Sequence, residues 1–374
     1  MSNQTFQTLK ELPIPFIEPQ CVLHKHEILI CGGYKQTACY SYHTLKNEYK
    51  FICEYPRDIK LDGHCVVKLD NSNKDRNQIN LLSFGGSEYT TRHTLVMKYV
   101  SIWSNISDIS KKSNEFNNYN QWVPFKNNHD QPIIISRSTN SCRGARAVIG
   151  GINNNLLFIT NYFNEINVFD LNKFKFIKYG KLPIYNPICY HCFVSNSENG
   201  QGQENKQNNQ MLLFKKNIGL LIEYDEDENT FQFHELPVCD AIASFYAYAY
   251  VCINDAIFFF GGYDWNNDKH IFSKSVHKYS IRENKWTTFK NTLPSPLYNL
   301  VAILNEEGNN MHIIGGLDDK ITGRSTHMKT KVRVWDASHL SKNEIKLIIE
   351  YWNRTLKIKL GWIDDFDKII IKYS

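Results

Sequence analysis

The sequence lacks several features that would place it in a familiar functional class. It contains no G-x-S-x-G, H-E-x-x-H, P-loop or G-x-G-x-x-G motif, so the common signatures of hydrolases, metalloproteases and nucleotide-binding proteins are missing. No apolar run approaches the ~20 residues that a membrane span needs. The N-terminal segment has no basic start followed by an apolar stretch, which a secretion signal would require. We therefore expect a protein that is neither secreted nor inserted in a membrane.

Charge and cysteine usage argue against two further classes. The formal net charge is only +5, from 43 Lys and Arg against 38 Asp and Glu, and both signs are scattered. Nucleic-acid binding needs clustered basic residues, so nucleic acid is not an expected partner. The ten cysteines show no disulfide spacing, and Cys189-x-x-Cys192 lacks the second pair that a zinc site needs. The sequence thus predicts a cytoplasmic protein with reduced cysteines, no metal and no cofactor.

Aromatic residues, in contrast, are abundant: 22 Phe, 21 Tyr and 7 Trp. They favour half-buried pleated surfaces and so indicate β-strands. Four short apolar runs each end in a pair of glycines, which is typical of a buried strand followed by a backbone position that needs conformational freedom. The paired glycines are Gly32, Gly33, Gly85, Gly86, Gly261, Gly262, Gly315 and Gly316.

An aromatic pattern follows two of these runs. Tyr279 and Trp286 come after the Gly261-Gly262 run, about seven residues apart, and a similar tyrosine-rich pattern covers residues 38–52. A Gly-Gly strand, then a Tyr, then a Trp resembles the Kelch repeat, whose unit is one four-stranded propeller blade. Residues 156–176 and 211–231 keep this pattern without the paired glycines. The resemblance implies six repeats along the chain.

Proline-ended strands give an independent count of the repeats. Five units end in an apolar residue followed by proline, as in Leu236-Pro237 and Leu293-Pro294, and proline cannot continue a strand ladder. The sixth unit reaches residues 332–336 and becomes helical without such a strand. The segment from Phe6 to Pro13 has the missing shape. We predict an all-β, six-bladed β-propeller over residues 1–339, closed by its N-terminal strand.

Residues 340–374 do not repeat and form a predicted C-terminal extension. A capping-box pattern at Ser341 to Glu344 is followed by one apolar helical stripe and then a short strand. The helix either packs on the propeller or docks a partner, since so apolar a stripe must be covered. The stripe consists of Ile345, Ile348, Ile349, Trp352 and Leu356.

Kelch propellers serve many functions, and most bind proteins, including substrate receptors of ubiquitin ligases and actin-associated proteins. We therefore expect a binding scaffold or adaptor for a protein or peptide, not an enzyme, although fold does not determine function. The loops after the paired glycines would carry binding, because aromatic and arginine side chains dominate interfaces. Their candidate residues are Tyr34, Tyr89, Arg92, Tyr263, Asp264, Trp265, Asp318 and Arg324.

The alternative is an enzyme or metal-binding propeller with its site in the axial channel, as in galactose oxidases of the Kelch type. No residues here match the copper ligands of those enzymes by motif. His24 and His26 alternate along a predicted strand and share one face, which makes a metal pair conceivable, but a structural pair is the preferred interpretation.

Overall fold

A computed structural model of the chain describes residues 5–69, 78–86, 90–103, 119–135, 141–196, 208–266, 269–336, 346, 350–352 and 354–355. Six four-stranded antiparallel sheets follow one another along these ranges. The predicted all-β, six-bladed propeller is therefore confirmed. The predicted boundary at residue 339 lies outside the described residues.

The first four blades each use four consecutive strands, numbered from the inner strand outward. Blade 1 contains β2 (Cys21–His24), β3 (Glu27–Gly33), β4 (Gln36–His43) and β5 (Glu48–Glu54). Blade 2 contains β6 (Cys65–Leu69), β7 (Gln78–Gly85), β8 (His93–Val100) and β9 (Val123–Pro124). Blade 3 contains β10 (Arg146–Gly150), β11 (Leu156–Asn161), β12 (Glu165–Asp170) and β13 (Lys175–Lys181). Blade 4 contains β14 (Cys192–Ser195), β15 (Asn208–Lys215), β16 (Ile218–Asp225) and β17 (Thr230–Glu235).

Blades 5 and 6 depart from this simple order. Blade 5 contains β18 (Ala249–Ile253), β19 (Ala256–Phe260), β22 (Val276–Ser280) and β23 (Lys285–Thr288). A separate hairpin of β20 (Tyr263–Asn266) and β21 (Lys269–Phe272) is inserted between its second and third strands. Blade 6 contains β24 (Val301–Leu304), β25 (Asn310–Ile314) and β26 (His327–Lys331), and its outer strand is β1 (Gln7–Thr8).

The N-terminal strand closes the ring, as the sequence predicts. β1 runs antiparallel to β26, with Gln7 opposite Lys329. One local detail differs: the third strand of blade 6 ends at Lys331, and residues 332–335 form the short helix α1 (Val332–Trp335). Val332 and Trp335 are both buried in the core of blades 5 and 6, and helical spacing brings them to the same side.

The Kelch spacing has a physical cause in the hairpin between third and fourth strands. In four blades two aromatic residues seven positions apart are direct cross-strand partners, among them Tyr224 with Phe231 and Tyr279 with Trp286. The hydroxyl of Tyr279 donates to Asn284 Oδ1 at 2.5 Å, and Asn284 has a positive φ of 52°. Asparagine tolerates this turn conformation, so the hairpin of blade 5 is held at both its strands and its turn.

The core lies between successive blades. The second strands β3, β11 and β19 are buried along their whole length, which explains their uninterrupted apolar sequences. Hydrophobic clusters join neighbouring blades, for example Phe214 of blade 4 with Phe259 of blade 5. Contacts between inner strands link blades 1, 2, 3 and 4 in order and blades 5, 6 and 1 in order, so these strands surround the propeller axis.

Candidate functional site

Each inner strand is preceded by one residue in the left-handed backbone conformation, with φ between 51° and 64°. Backbone hydrogen bonds of 2.8–3.0 Å join several neighbouring turns, such as Tyr190 N to Gly144 O. A Cβ on Gly63 would lie 2.3 Å from the nitrogen of Gly144, so this rim has no room for a side chain there. The end of the propeller that carries these turns is named the turn face. The six turn residues are Glu18, Gly63, Gly144, Tyr190, Ala247 and Asn299.

A cavity of about 180 Å³ lies at the centre of the turn face. All six blades contribute to its wall, mainly through residues at the start of their inner strands. It is smaller than the ~300–1,000 Å³ of typical sites for drug-sized ligands, so its volume suits one side chain or a similarly small group. The wall includes Glu18, Cys65, Arg146, Tyr190, Tyr250 and Asn299.

Charged side chains from three blades meet at the edge of this cavity. The Nε of Arg143 lies 2.9 Å from Asp62 Oδ1 and donates to the Tyr190 hydroxyl at 3.2 Å. Asn299 Nδ2 donates to Glu18 Oε1 at 3.1 Å. The left-handed turns bring these residues together from distant parts of the chain.

Glu18 is the most perturbed carboxyl group of the site. Burial and the nearby charge of Asp62 raise its pKa to about 7, while Arg143, Arg146 and the Tyr190 hydroxyl oppose this rise. Its Oε2 atom is buried and has no hydrogen-bond partner among the described residues. At neutral pH this carboxyl is therefore divided between its neutral and charged forms.

We expect Glu18→Gln to stabilise the propeller above pH 7 by roughly 2–3 kcal/mol, and to change little near pH 4.5. The folded-state pKa of about 7 exceeds the ordinary value of 4.5. Between pH 4.5 and about pH 7 the Glu18 carboxyl releases its proton in the unfolded chain but keeps it in the folded chain. The free energy of unfolding of the wild type therefore falls as pH rises to about 7, and above pH 7 it stays low. Urea unfolding at pH 5 and pH 8 measures the difference; equal effects of the substitution at both pH values would contradict it.

Arg146 stands in the cavity wall, close enough to Glu18 for their charges to interact, but the two side chains form no ion pair. Its Nη1 donates to the Ala145 carbonyl at 3.0 Å, and its guanidinium carbon lies 6.0 Å from the centre of the Tyr190 ring. Among the described residues no carboxylate lies within ion-pairing distance of this guanidinium. Arginine has five N–H donors, and an unpaired charge in a partly desolvated wall is costly. The site thus offers a cation and several donors to an anion.

Two lysines add to the positive charge at the rim. Lys215 Nζ donates to the Pro187 carbonyl at 2.5 Å, and burial lowers the pKa of its amine. Lys216 forms an ion pair with the buried Asp264, with 3.0 Å between Nζ and Oδ1. Asp62 and Asp264 are therefore each paired with a cation, whereas Arg146 and Lys215 form no ion pair with a described carboxylate.

An aromatic surface adjoins these lysines: Lys215 and Lys216 Nζ lie 5.7 and 5.2 Å from the centre of the Tyr246 ring. Tyr263 stacks on Tyr298 with ring centres 4.9 Å apart and also contacts Tyr246 and Phe272. Trp265 continues this surface along the β20–β21 hairpin, and 48% of its area is exposed. These six side chains, Tyr246, Tyr263, Trp265, His270, Phe272 and Tyr298, are named the aromatic cluster.

The sequence-predicted loop residues that are described all lie on the turn face, because each follows a second strand. Tyr34 lines a groove of about 510 Å³ beside blade 1, and Tyr263 and Trp265 belong to the aromatic cluster. Asp318 forms an ion pair with Arg324 and accepts hydrogen bonds from its own loop, so this pair holds the loop in shape. The backbone of Arg92 lies against Gly86, where an added Cβ would come 2.7 Å from the Arg92 Cα, and Tyr89 lies outside the described residues.

The structure describes the predicted paired glycines but only one residue of the predicted C-terminal stripe. The paired glycines end the second strands of blades 1, 2, 5 and 6, and Gly32, Gly261 and Gly315 share a φ of 67–69°. In the C-terminal stripe, Trp352 has helical backbone and is 59% exposed. Its other members, Ile345, Ile348, Ile349 and Leu356, lie outside the described residues, so both interpretations of this helix remain predictions.

Within the described residues, no three His, Cys, Asp or Glu side chains are grouped so that they could hold a metal ion. His24 is buried, whereas His26 faces Glu307 at 3.0 Å. Cys192 is buried between blades 4 and 5, while Cys189 Sγ lies 4.0 Å from Lys215 Nζ. None of the helical segments found in the described ranges is long and apolar enough to cross a membrane.

Comparisons with known proteins agree with the repeat. The model of the Kelch motif family matches residues 244–291, the part of the chain that forms blade 5. No curated protein matches the sequence. A solved structure titled "Structure of YjhT" is similar over 87% of this chain and 95% of its own, with a TM-score of 0.57 and 16% identity. Similarity at this identity shows the fold alone.

Proposed function

We propose that this Kelch-repeat β-propeller is a binding scaffold, not an enzyme, and that it holds a protein or peptide partner on its turn face. The observation that carries the proposal is the guanidinium of Arg146 in the wall of the axial cavity, which forms no ion pair with a described carboxylate. A partner that inserts one anionic group there gains a charge-assisted hydrogen bond. The cavity volume of about 180 Å³ suits a single side chain.

The surroundings of the cavity support a macromolecular partner. The rim offers exposed surface on several blades, including Trp265 and the half-exposed Arg143, and both residue types are frequent hot spots of protein interfaces. The six turns form a rigid scaffold, and different side chains around them would give that scaffold different binding groups.

A photo-crosslinking comparison tests this proposal. A benzophenone amino acid is placed at Trp265 on the turn face or at Leu45, which lies in a hairpin turn at the opposite end and is 68% exposed. In extracts of the native cells we expect protein adducts from the first position, and their loss by about tenfold or more with Arg146→Gln. Adducts of the same proteins from both ends, or adducts insensitive to Arg146→Gln, would contradict the proposal.

A second candidate, an enzyme with its site in the axial cavity, is favoured by Glu18. Its unpartnered Oε2 and a pKa of about 7 are suited to proton transfer at neutral pH. Incubating metabolite extracts with the wild type and with Glu18→Gln separates the two functions. A compound that only the wild type consumes, together with unchanged crosslinking, would favour catalysis over scaffolding.

A further inference from the structure

Two chemically different groups of side chains adjoin each other beside the axial cavity. Arg143 and Arg146 of blade 3 and Lys215 of blade 4 form a basic group. The aromatic cluster comes from blades 5 and 6. Tyr190 and Tyr246 connect the two groups, since both pack in one hydrophobic cluster, the Tyr190 hydroxyl accepts from Arg143 and Lys215 lies over the Tyr246 ring.

We propose that the turn face recognises a protein segment in which an acidic side chain stands next to a large apolar residue, the acid entering the cavity at Arg146 and the apolar residue packing on the aromatic cluster at Trp265. This inference rests on the proposed scaffold function and specifies the chemistry of its partner.

Charge complementarity favours an acidic side chain as the group of the partner segment that enters the cavity. Asp62 and Asp264, two carboxylates of this face, are already paired with Arg143 and Lys216. Glu18 is divided between its charged and neutral forms at neutral pH, and when neutral it can donate a hydrogen bond from Oε2 to an incoming carboxylate. An acid in the cavity would therefore meet a cation and a donor together, whereas a basic side chain would meet the unpaired Arg146.

The exposed area of the aromatic cluster favours a large apolar residue in the partner segment. Trp265 packs edge-on against His270, with ring centres 4.3 Å apart, and still exposes 48% of its area. Ile271, on the neighbouring strand of the same hairpin, is 42% exposed. Exposed aromatic surface beside a desolvated charge site is typical of interface hot spots, where the surrounding contacts exclude water from the charged pair. Among the described blades only blade 5 contains this inserted hairpin. The hairpin that carries Trp265 is therefore an addition to the repeat.

Selection of displayed peptides tests the inference with the full chain. A random twelve-residue library is panned on the wild type, and the affinities of recovered peptides are measured for two turn-face variants, Arg146→Gln and Trp265→Ala. Matched controls at the opposite end are Arg282→Gln and Leu45→Ala, which are exposed in strand-connecting turns. We expect peptides enriched in Asp or Glu near Trp, Phe or Leu, with affinity reduced about tenfold or more by each turn-face variant and unchanged by the controls.

The other outcomes are distinguishable. Acidic peptides that depend on Arg146 but not on Trp265 would overturn the two-part recognition and leave the scaffold function intact. Peptides without acidic residues, or unaffected by Arg146→Gln, would overturn the inference as well. If no peptide is recovered, or if light scattering shows self-association that Trp265→Ala abolishes, the face does not bind a separate segment and the scaffold proposal fails with the inference. Arg146→Lys keeps the charge but loses the bidentate geometry, so it replaces Arg146→Gln if that variant does not fold.

Discussion

Acidification from pH 6.5 to about pH 4.5 is expected to remove most of the stability of the propeller. Burial lowers the pKa of six of the buried histidines in the blades: to about 3 for one of them, to about 4 for three, and well below 6.5 for the other two. They are His64, His93, His277, His312, His191 and His327.

The sign and size of the effect follow from proton binding. Between pH 6.5 and about pH 4 the unfolded chain binds protons at these histidines while the folded chain does not, so stability falls as pH falls. At pH 5 each group contributes up to about 2 kcal/mol, since one pKa unit corresponds to about 1.4 kcal/mol. Six such groups together approach the roughly 5–15 kcal/mol of a whole domain. Glu18 has the opposite effect, because its raised pKa makes the protein more stable as pH falls, but it is a single group.

Urea unfolding between pH 4 and pH 8 measures this loss. The exposed His129 provides a control, because His129→Gln should leave the acid midpoint unchanged. His277→Gln removes one buried titrating group, whose Nδ1 lies 3.0 Å from Thr288 Oγ1, and should shift the midpoint to lower pH. A propeller that keeps its full stability at pH 4.5 would contradict the prediction.

Phe6→Ala is expected to destabilise the protein by roughly 3–5 kcal/mol, the usual cost of removing a buried aromatic side chain. Phe6 is 4% exposed and packs against Phe260 and Trp335, with ring centres 6.4 and 5.6 Å away. It precedes β1, a strand of only two residues. The side chain therefore contributes more to ring closure than the strand's own backbone hydrogen bonds.

Chemical denaturation of the variant measures this cost, and Gln7→Ala is the matched control. Gln7 lies in β1 and is exposed, so its replacement should change stability by less than about 0.5 kcal/mol. Equal stabilities of Phe6→Ala and the wild type would show that the N-terminal segment does not hold blade 6 closed.

Most of the fold could be predicted from the sequence because its signals are local. Paired glycines mark the ends of second strands, and the tyrosine and tryptophan of one hairpin lie seven residues apart because they face each other across two strands. The ring closure was also predictable, since the segment from Phe6 resembles the outer strands of other blades. The short helix α1 was not, because Val332 and Trp335 fit a strand or a helix equally well until their packing is known.

The candidate site was predictable only as a face of the propeller. Loop residues such as Tyr34 and Trp265 lie there because the strand order requires it. Glu18 and Asn299 escaped prediction because the turn residues share a position before the inner strand but no residue type, and Arg146 because it is the first residue of an inner strand. Only an alignment of the six turns to one another could have shown that the turn residues occupy equivalent positions. The pKa of Glu18 could not be predicted from the sequence, because it depends on burial by blades that are distant in sequence.

The closure of blade 6 determines when the protein can finish folding. The segment that contains β1 is synthesised long before its partner strand: Thr330 Oγ1 donates to the carbonyl of Thr5, 325 positions away. Domains otherwise tend to fold from the N-terminus during synthesis. Here β1 stays without its partner strand until β26 has been made, so blades 1 to 5 can assemble before the ring closes. A translation pause before residue 327 would prolong this open stage, during which chaperones and proteases have access to the unpaired edges of blade 6.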